Sequence, residues 1–159
     1  MNARFANVAD KSWGSFMAQE SVVYGCIKDV IFTSDMEQTR RRRQVNRQVL
    51  ATLPSVEDWP LIGREMFVLP SSTLAIDDIH TEVVPFGNSY KGVEYEWEQW
   101  LQRFEDLLQN MYWVSATVHL ETEFNGTHTF TWHSDQEFHE PNSGPLSLRC
   151  EWTREAASF

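Results

Sequence analysis

The clearest hydrophobic pattern in the chain is helical and lies in VEYEWEQWLQRFEDLLQN, residues 93–110. The apolar side chains recur at the i, i+3, i+4 spacing that defines one face of a helix. They are Trp97, Trp100, Leu101, Phe104, Leu107 and Leu108. Glutamates occupy the first turns, where the helix dipole favours negative charge. The pattern predicts an amphipathic helix whose tryptophans belong to the core rather than to a partner-binding stripe.

A helix is also predicted for ESVVYGCIKDVIF, residues 20–32. Val23, Ile27, Val30 and Ile31 share one helical face there. The segment is rich in β-branched residues, so a strand remains an alternative.

The next segment has a clearer start. SDME at 34–37 is typical of a capping box, in which Ser34 caps the first amides and Glu37 reaches back. The helix that follows is predicted to run to about Leu53, because Pro54 prevents easy continuation. Its apolar stripe is thin.

Strands are predicted in the remaining ordered segments. REMFVLP at 64–70 is a short candidate, and DDIHTEVVPF at 77–86 is another that ends near Pro85. FGNSYKG at 86–92 carries two glycines and is interpreted as a turn-rich connector. LSLRCEW at 146–152 alternates apolar and polar residues and is predicted to close the chain as a strand.

The order of these segments favours an α+β fold, with an antiparallel sheet of about five strands packed on one side by two to three helices. Residues 1–12 are predicted to form a flexible N-terminal arm, and residues 13–159 a single domain. The chain of 159 residues is long enough for one sizeable core, and its 42% hydrophobic content argues against disorder.

Asn-Gly at 125–126 predicts the turn of a β-hairpin. A two-residue loop would mix charged and apolar side chains on both faces of the hairpin. A three-residue loop over 124–126, with Gly126 left-handed in a bulge, separates the two faces cleanly. The sequence therefore predicts the second register, in which Leu120 lies opposite Phe130.

The polar face of this 113–134 hairpin carries the main candidate for chemistry. In the predicted register His119 and His133 are diagonal neighbours on adjacent strands. With Glu121 they would supply acid/base groups or ligands for a small-molecule-binding or metal-dependent enzyme, which is the alternative function. The favoured interpretation is a solvated sheet face that needs no cofactor.

HSDQEFHE at 133–140 places imidazoles and carboxylates at every second position. His133, Asp135 and His139 are the alternative metal ligands, since these groups suit a divalent first-row ion. Residues spread along one strand lie too far apart to surround a single ion. An acidic surface loop is therefore favoured, and no metal is predicted.

Charge and cysteine content narrow the function classes. The formal net charge is −10, which argues against general nucleic-acid or anionic-membrane binding and fits a basic partner. Cys26 and Cys150 fall in apolar stretches and are predicted to be buried free thiols in a reducing compartment. The sequence shows no signal peptide and no apolar run of membrane-spanning length, so a cytoplasmic protein is expected.

One basic island, RRRRQVNR at 40–47, interrupts this acidic composition. Arg40, Arg43 and Arg47 are candidates for anion binding. A solvated helix face, with Glu37 and Arg41 as an i, i+4 pair, is favoured instead. The arginines would alternatively pair with acids of a second copy and form a homo-oligomer or a subunit of a larger assembly.

The sequence contains no nucleophile motif, phosphate-binding glycine loop or dinucleotide fingerprint. It therefore favours a non-enzymatic acidic module that binds a basic protein. Trp59 and Trp13 are predicted to be exposed anchors. The expected partner-binding residues are Glu57, Asp58, Trp59, Asp135, Glu137, Phe138 and Glu140. In size and charge, though in no motif, the chain matches toxin-neutralising immunity proteins, inhibitors and secretion chaperones.

Overall fold

The computed structural model describes residues 20–30, 35–69 and 81–153. These ranges hold β1 (Glu20–Val30), α1 (Met36–Ala51), β2 (Thr81–Lys91), α2 (Trp97–Gln109), β3 (Ser115–Thr122), β4 (Gly126–His133) and β5 (Leu148–Thr153). Short 3₁₀ turns occur at Val56–Asp58, Arg64–Met66 and Val93–Glu96. None of the helices in the described ranges is long and apolar enough to cross a membrane.

The strands form one antiparallel sheet in the order β2-β1-β3-β4-β5. Both helices pack against the same face of this sheet. Phe104 of α2 contacts Phe86 and Trp132. Arg42 of α1 pairs with Asp29, whose side chain projects from that face. The predicted α+β fold, with a five-stranded antiparallel sheet and helices on one side, is confirmed.

Strand β1 occupies the segment predicted to be a helix over 20–32, so that prediction is wrong. In a strand alternate residues point inward, and the inward positions here include Ser21, Gly25 and Asp29. These polar and small residues hide the two-residue period. The β-branched residues between them favour a strand, where such side chains pack well.

Strand β2 extends farther towards the C-terminus than predicted, and residues 77–80 of the predicted strand lie outside the described residues. It runs through Pro85 to Lys91 and includes most of the segment interpreted as a connector at 86–92. Pro85 is tolerated because β2 is an edge strand, where a missing N–H costs no ladder bond. The strand predicted at 64–70 is also wrong: a 3₁₀ turn precedes Phe67, which forms a single bridge with Phe86.

Helix α1 is capped by Asp35, whose Oδ1 accepts from the Glu37 and Gln38 amides at 3.0 and 3.3 Å. Ser34, the predicted cap, lies outside the described residues. The helix ends at Ala51, close to its predicted end.

The buried face of α1 explains its thin apolar stripe. At helical spacing this face carries polar residues as well as apolar ones: Thr39, Arg42, Asn46 and Leu50. Asn46 donates to the Tyr112 carbonyl at 2.9 Å and accepts from the Tyr112 amide at 2.8 Å. Paired polar contacts therefore hold helix α1 against the sheet. Such contacts do not appear in the pattern of hydrophobic residues.

Helix α2 supplies the centre of an aromatic core. Trp97 stacks on Trp100 with ring centroids 4.9 Å apart, and Trp100 stacks on Phe104 at 5.2 Å. Trp132 of β4 packs against Phe104 and donates its indole N–H to Glu105 at 3.0 Å. Trp100 is fully buried and Trp97 is partly buried against the core, so the prediction that the tryptophans of this helix belong to the core is confirmed.

Both cysteines are free, but the prediction that both are buried is wrong. Cys26 is half-buried and Cys150 is exposed. Cys150 lies on the edge strand β5, opposite Phe130. Leu148, two residues before Cys150, is 38% exposed. The alternation in β5 therefore indicates which side chains face the helices, but these side chains are not fully buried.

Candidate functional site

The β3–β4 hairpin differs from its predicted register. Its loop covers 123–125, so it has the predicted length of three residues but starts one residue earlier, and Thr122 pairs with Gly126. Leu120 therefore lies two residues away from the position opposite Phe130. Because the shift is even, every side chain keeps its predicted face. Gly126 is left-handed as predicted, with φ 71°.

Packing accounts for the observed register. It places the large Trp132 opposite the small Ala116, which leaves room for the indole ring beneath α2. It also lets the Thr122 hydroxyl accept the Asn125 amide at 3.1 Å, which closes the loop. Neither effect is visible in the alternation of apolar and polar residues.

The candidate catalytic residues of the hairpin are not assembled into a site. His119 Nδ1 lies 2.9 Å from Thr129 Oγ1, and its ring centroid is 5.0 Å from that of Tyr24. In the observed register His133 lies four residues farther along the paired strands, or ~13 Å away. Glu121 and His133 are exposed. The diagonal contact predicted between the two histidines is therefore absent.

The alternative metal ligands come closer to one another. His133, Asp135 and His139 line one cavity of about 160 Å³. His139 is buried, its Nδ1–H donates to the Met111 carbonyl at 2.9 Å, and its ring stacks on Trp113. Within the described ranges, however, no three His, Cys, Asp or Glu side chains could hold one metal ion.

Two groups of predicted partner-binding residues lie at opposite ends of the sheet. One group is in the loop that follows His133, the last residue of β4. His133 lies opposite Ser115 of β3, which lies opposite Lys28 of β1. The groove beside Trp59 lies near Glu20, eight residues away along β1, or ~26 Å. The two groups therefore do not adjoin, and each forms a separate candidate patch.

The loop after β4 is also less suited to binding than its composition suggests. Phe138 is half-buried, and its ring covers the Arg42 guanidinium at 4.0 Å. The loop's acidic side chains are exposed: Asp135, Glu137 and Glu140. Phe138 is therefore part of the packing against α1 and is not an open aromatic anchor.

The arginines of α1 divide into two sets. Arg41 is exposed and lies 3.8 Å from Glu37, as the solvated-face prediction requires. Arg42 is buried: its Nε lies 3.2 Å from Asp29 Oδ2, and a second nitrogen bonds the other oxygen. Arg43 Nε lies 2.9 Å from Glu82 Oε2. The prediction of a solvated face is therefore wrong for Arg42 and Arg43.

The two carboxylates oppose each other directly on β1 and β2. Burial raises the pKa of Asp29, and Arg42 acts in the opposite direction. Burial likewise raises the pKa of Glu82, against the opposing charges of Arg43 and Arg47. Of the candidates for anion binding, Arg43 is thus engaged by a protein carboxylate, Arg47 is half-buried and Arg40 is exposed.

Trp59 is the most exposed large apolar side chain in the described ranges, at 92%. It follows the 3₁₀ turn Val56–Asp58 and has left-handed backbone angles, φ 53° and ψ 44°. That conformation costs a residue with a Cβ about 1 kcal/mol. The prediction that Trp59 is exposed is confirmed, while Trp13 lies outside the described residues.

Glu65 holds the Trp59 loop in place. Its Oε1 accepts from the Ser55 hydroxyl at 3.0 Å, and its Oε2 accepts from the Val56 amide at 2.9 Å. Hydrogen bonds from its own amide, from the Val56 amide and from Ser55 lower the pKa of Glu65. The Arg64 amide adds a bond to the Pro54 carbonyl at 3.0 Å. The loop is therefore ordered before any partner arrives.

A groove of about 690 Å³ lies between this loop and the edge strand β2. Val56, Trp59 and Pro60 form one wall, residues 88–91 form the other, and Glu20 is also in the lining. We call this the Trp59 groove.

Tyr90 gives the groove a fixed floor. Its hydroxyl donates to the Leu61 carbonyl at 2.6 Å and accepts from the Trp100 indole at 3.1 Å. Burial raises the pKa of Tyr90. The groove is thus joined to the aromatic core.

The surroundings of the Trp59 groove are acidic. Four carboxylates lie in it or beside it, on Glu20, Glu57, Asp58 and Glu65. Two cations, Lys91 and Arg64, partly offset them, and Lys91 directly opposes Glu20 in the sheet. The balance favours a positively charged ligand.

Sequence reasoning found Trp59, Glu57 and Asp58 but missed the opposite wall of the groove. The sequence predicts a connector that includes residues 88–91, because Gly, Asn and Ser are typical of turns. Glu65 gave no signal at all, since its role depends on contacts made ten residues away.

No family model, curated protein or solved structure matches this chain. The function is therefore inferred from the geometry of the described residues alone.

Proposed function

We propose that this protein is a non-enzymatic acidic module that binds a basic protein partner in the Trp59 groove. The observation that carries the proposal is Trp59 itself. Its indole is 92% exposed and stands on a left-handed backbone, so it contributes little to the core and adds strain. Such a residue is typical of a binding anchor, because a partner that covers it gains a large apolar contact.

Charge and anchor have different roles in this mechanism. The acidic net charge of −10 attracts a basic protein and speeds the encounter. Glu57 and Asp58 flank the anchor and select for lysine or arginine beside it. Trp59 then supplies the contact area that slows dissociation.

The protein class that fits this mechanism is an immunity protein, an inhibitor or a chaperone that neutralises a basic partner. Size and charge support the comparison. Both cysteines are free, and Cys150 is exposed, which suits a reducing compartment such as the cytoplasm.

The test is affinity capture from a lysate of the organism that carries the gene, with mass spectrometry and then calorimetry on the purified partner. We expect one basic protein to bind stoichiometrically. Trp59→Ala should weaken it at least ~30-fold, as truncation of a binding hot spot does. Reversing both Glu57 and Asp58 to Lys should also release it.

The matched control reverses Asp135 and Glu137 to Lys, which changes the net charge equally at the other end of the sheet. Binding should survive that change. If this control abolished binding and Trp59→Ala did not, the partner surface would be the loop after β4. Turnover of a substrate by the purified protein would overturn the non-enzymatic assignment.

A further inference from the structure

We propose that the partner enters the Trp59 groove as an extended basic segment and pairs with β2 as an added strand of the sheet. This inference rests on the proposed function, because it names the form and chemistry of the ligand for the same groove. Strand addition to an exposed sheet edge is a recurring mode of peptide recognition.

The main-chain direction of β2 supports strand addition. The Pro85 carbonyl accepts from the Val68 amide at 3.0 Å, so it points away from β1. In an antiparallel strand the N–H and C=O of one residue point to the same side, and successive residues alternate. The main-chain groups of Gly87, Ser89 and Lys91 therefore also point outward, whereas Asn88 pairs inward with β1.

Among the described residues, these outward groups are uncovered at one part of the edge. The Phe67 segment covers the strand from Pro85 to Gly87, because its bridge with Phe86 pairs the Val68 amide with the Pro85 carbonyl and the Met66 carbonyl with the Gly87 amide. Beyond Gly87, no main-chain bond from another described segment reaches Ser89 or Lys91. The Trp59 groove lies beside this uncovered part and is lined by its side chains. An edge with unpaired N–H and C=O groups binds extended chains readily.

The side chains around the groove define the segment that fits. A strand laid along residues 88–91 would cover ~13 Å of edge, or about four residues. Its alternate side chains would point to opposite faces. One set meets Trp59 and Val56, and positive charges among the flanking residues meet Glu20 in the groove and Glu57 and Asp58 in the turn before Trp59. The ligand is therefore an extended peptide with lysine or arginine beside apolar residues.

Amide hydrogen exchange measured by NMR tests this pairing directly. The probe is an octapeptide of alternating lysine and valine, with an octapeptide of alternating glutamate and valine as the charge control. On binding of the lysine peptide, the Ser89 and Lys91 amides should exchange at least tenfold more slowly, while Gly87, already covered by the Phe67 segment, should change little. Asn88 and Tyr90 should change little, because their amides already face β1.

A variant and a modified peptide provide independent checks. Ser89→Pro removes an outward N–H without removing a bond to β1, and it should weaken the lysine peptide at least tenfold. Ser89→Ala is the matched control and should bind normally. A lysine peptide that is N-methylated at alternate residues keeps its charge and loses donors, so it should also bind at least tenfold more weakly. This last check needs no variant to fold.

The outcomes separate this inference from the proposed function. If the lysine peptide binds and Trp59→Ala weakens it, but Ser89 and Lys91 stay unprotected, strand addition is wrong and the acidic groove remains. If these amides become protected with rising protein concentration and no peptide, the occupant is a second copy of this chain. If neither peptide binds and the captured partner also ignores Trp59→Ala, both proposals fail.

Discussion

At the scale of single residues, the ion pair between Arg42 and Asp29 dominates the contact of α1 with the sheet. Both side chains are at least 96% buried, and the guanidinium also lies over the Phe138 and Tyr112 rings. Removal of water from two charges costs several kcal/mol, which a close pair roughly offsets. Such a pair adds little net stability, but removal of either side chain leaves the charge of the other buried without a partner.

We therefore expect Arg42→Met to lower the free energy of unfolding by ~3–5 kcal/mol, because it leaves the Asp29 carboxylate buried without its partner. Urea denaturation followed by circular dichroism measures the change. The control is Arg41→Met, which removes an exposed pair worth at most about 1 kcal/mol. Adding Asp29→Leu to Arg42→Met should restore most of the loss, and a double variant as unstable as the single one would contradict this account.

Glu65 is the second residue with an effect beyond its own position. Its lowered pKa means that its hold on Ser55 and Val56 is complete above the ordinary carboxyl range and is lost as the pH falls through the lowered value. We expect the Val56 amide resonance to titrate with a midpoint below the ordinary value of 4.5. NMR titration of wild type measures it, and Glu65→Gln should abolish the transition. A midpoint at or above 4.5 would contradict the proposed hold.

At the scale of elements, the hairpin shows what a hydrophobic pattern does and does not determine. Alternation fixed which side chains of β3 and β4 face the core, and the structure agrees with all of them. Alternation is unchanged by an even shift in register, so it could not determine which residues face one another. Those pairings depend on Trp132 against Ala116 and on the Thr122 hydroxyl, which are contacts in space.

Crosslinking tests the observed pairing of β3 with β4. In a Cys26→Ser background, Thr117→Cys with Thr131→Cys should form a disulfide on mild oxidation, since directly opposed residues have suitable Cα separations. Thr117→Cys with His133→Cys, the pair favoured by the sequence-based register, should not. Free-thiol titration with mass spectrometry distinguishes them. The opposite result would restore the predicted register and bring His119 back towards His133.

The error at β1 has a related cause. A strand with Ser21, Gly25 and Asp29 among its inward residues lacks the expected alternation, because each of them is accommodated by a specific neighbour. Asp29 has Arg42, and Gly25 lies so close to β3 that an added Cβ would be 1.9 Å from the Thr117 carbonyl oxygen. Such tertiary compensation leaves no periodic trace in the sequence.

At the scale of the whole molecule, charge and shape act together at one end of the sheet. The sequence indicated an acidic binder and named Trp59, but it spread the contact residues over two loops that the fold separates by ~26 Å. Sequence distance cannot show which acidic groups share a surface. The edge of β2 also lines the groove, and the amino-acid composition of that edge is typical of a turn.

Long-range attraction by the acidic surface predicts a marked salt dependence. Between 0.05 and 0.5 M NaCl, we expect association of the basic partner to slow by ~10-fold or more, because screening shortens the reach of the charges. Stopped-flow measurement of both rate constants checks this. Trp59→Ala should mainly raise the dissociation rate and leave the salt dependence intact. An association rate that is insensitive to salt would contradict steering by net charge.

The exposed position of Trp59 also makes it a spectroscopic reporter. Trp100, Trp113 and Trp132 are at most 1% exposed, so their indoles emit from an apolar environment, whereas Trp59 emits from water. A ligand that covers it should move the emission to shorter wavelength and protect it from a neutral quencher such as acrylamide. The protein thus signals occupancy of its groove by its own fluorescence, without a label or a known partner.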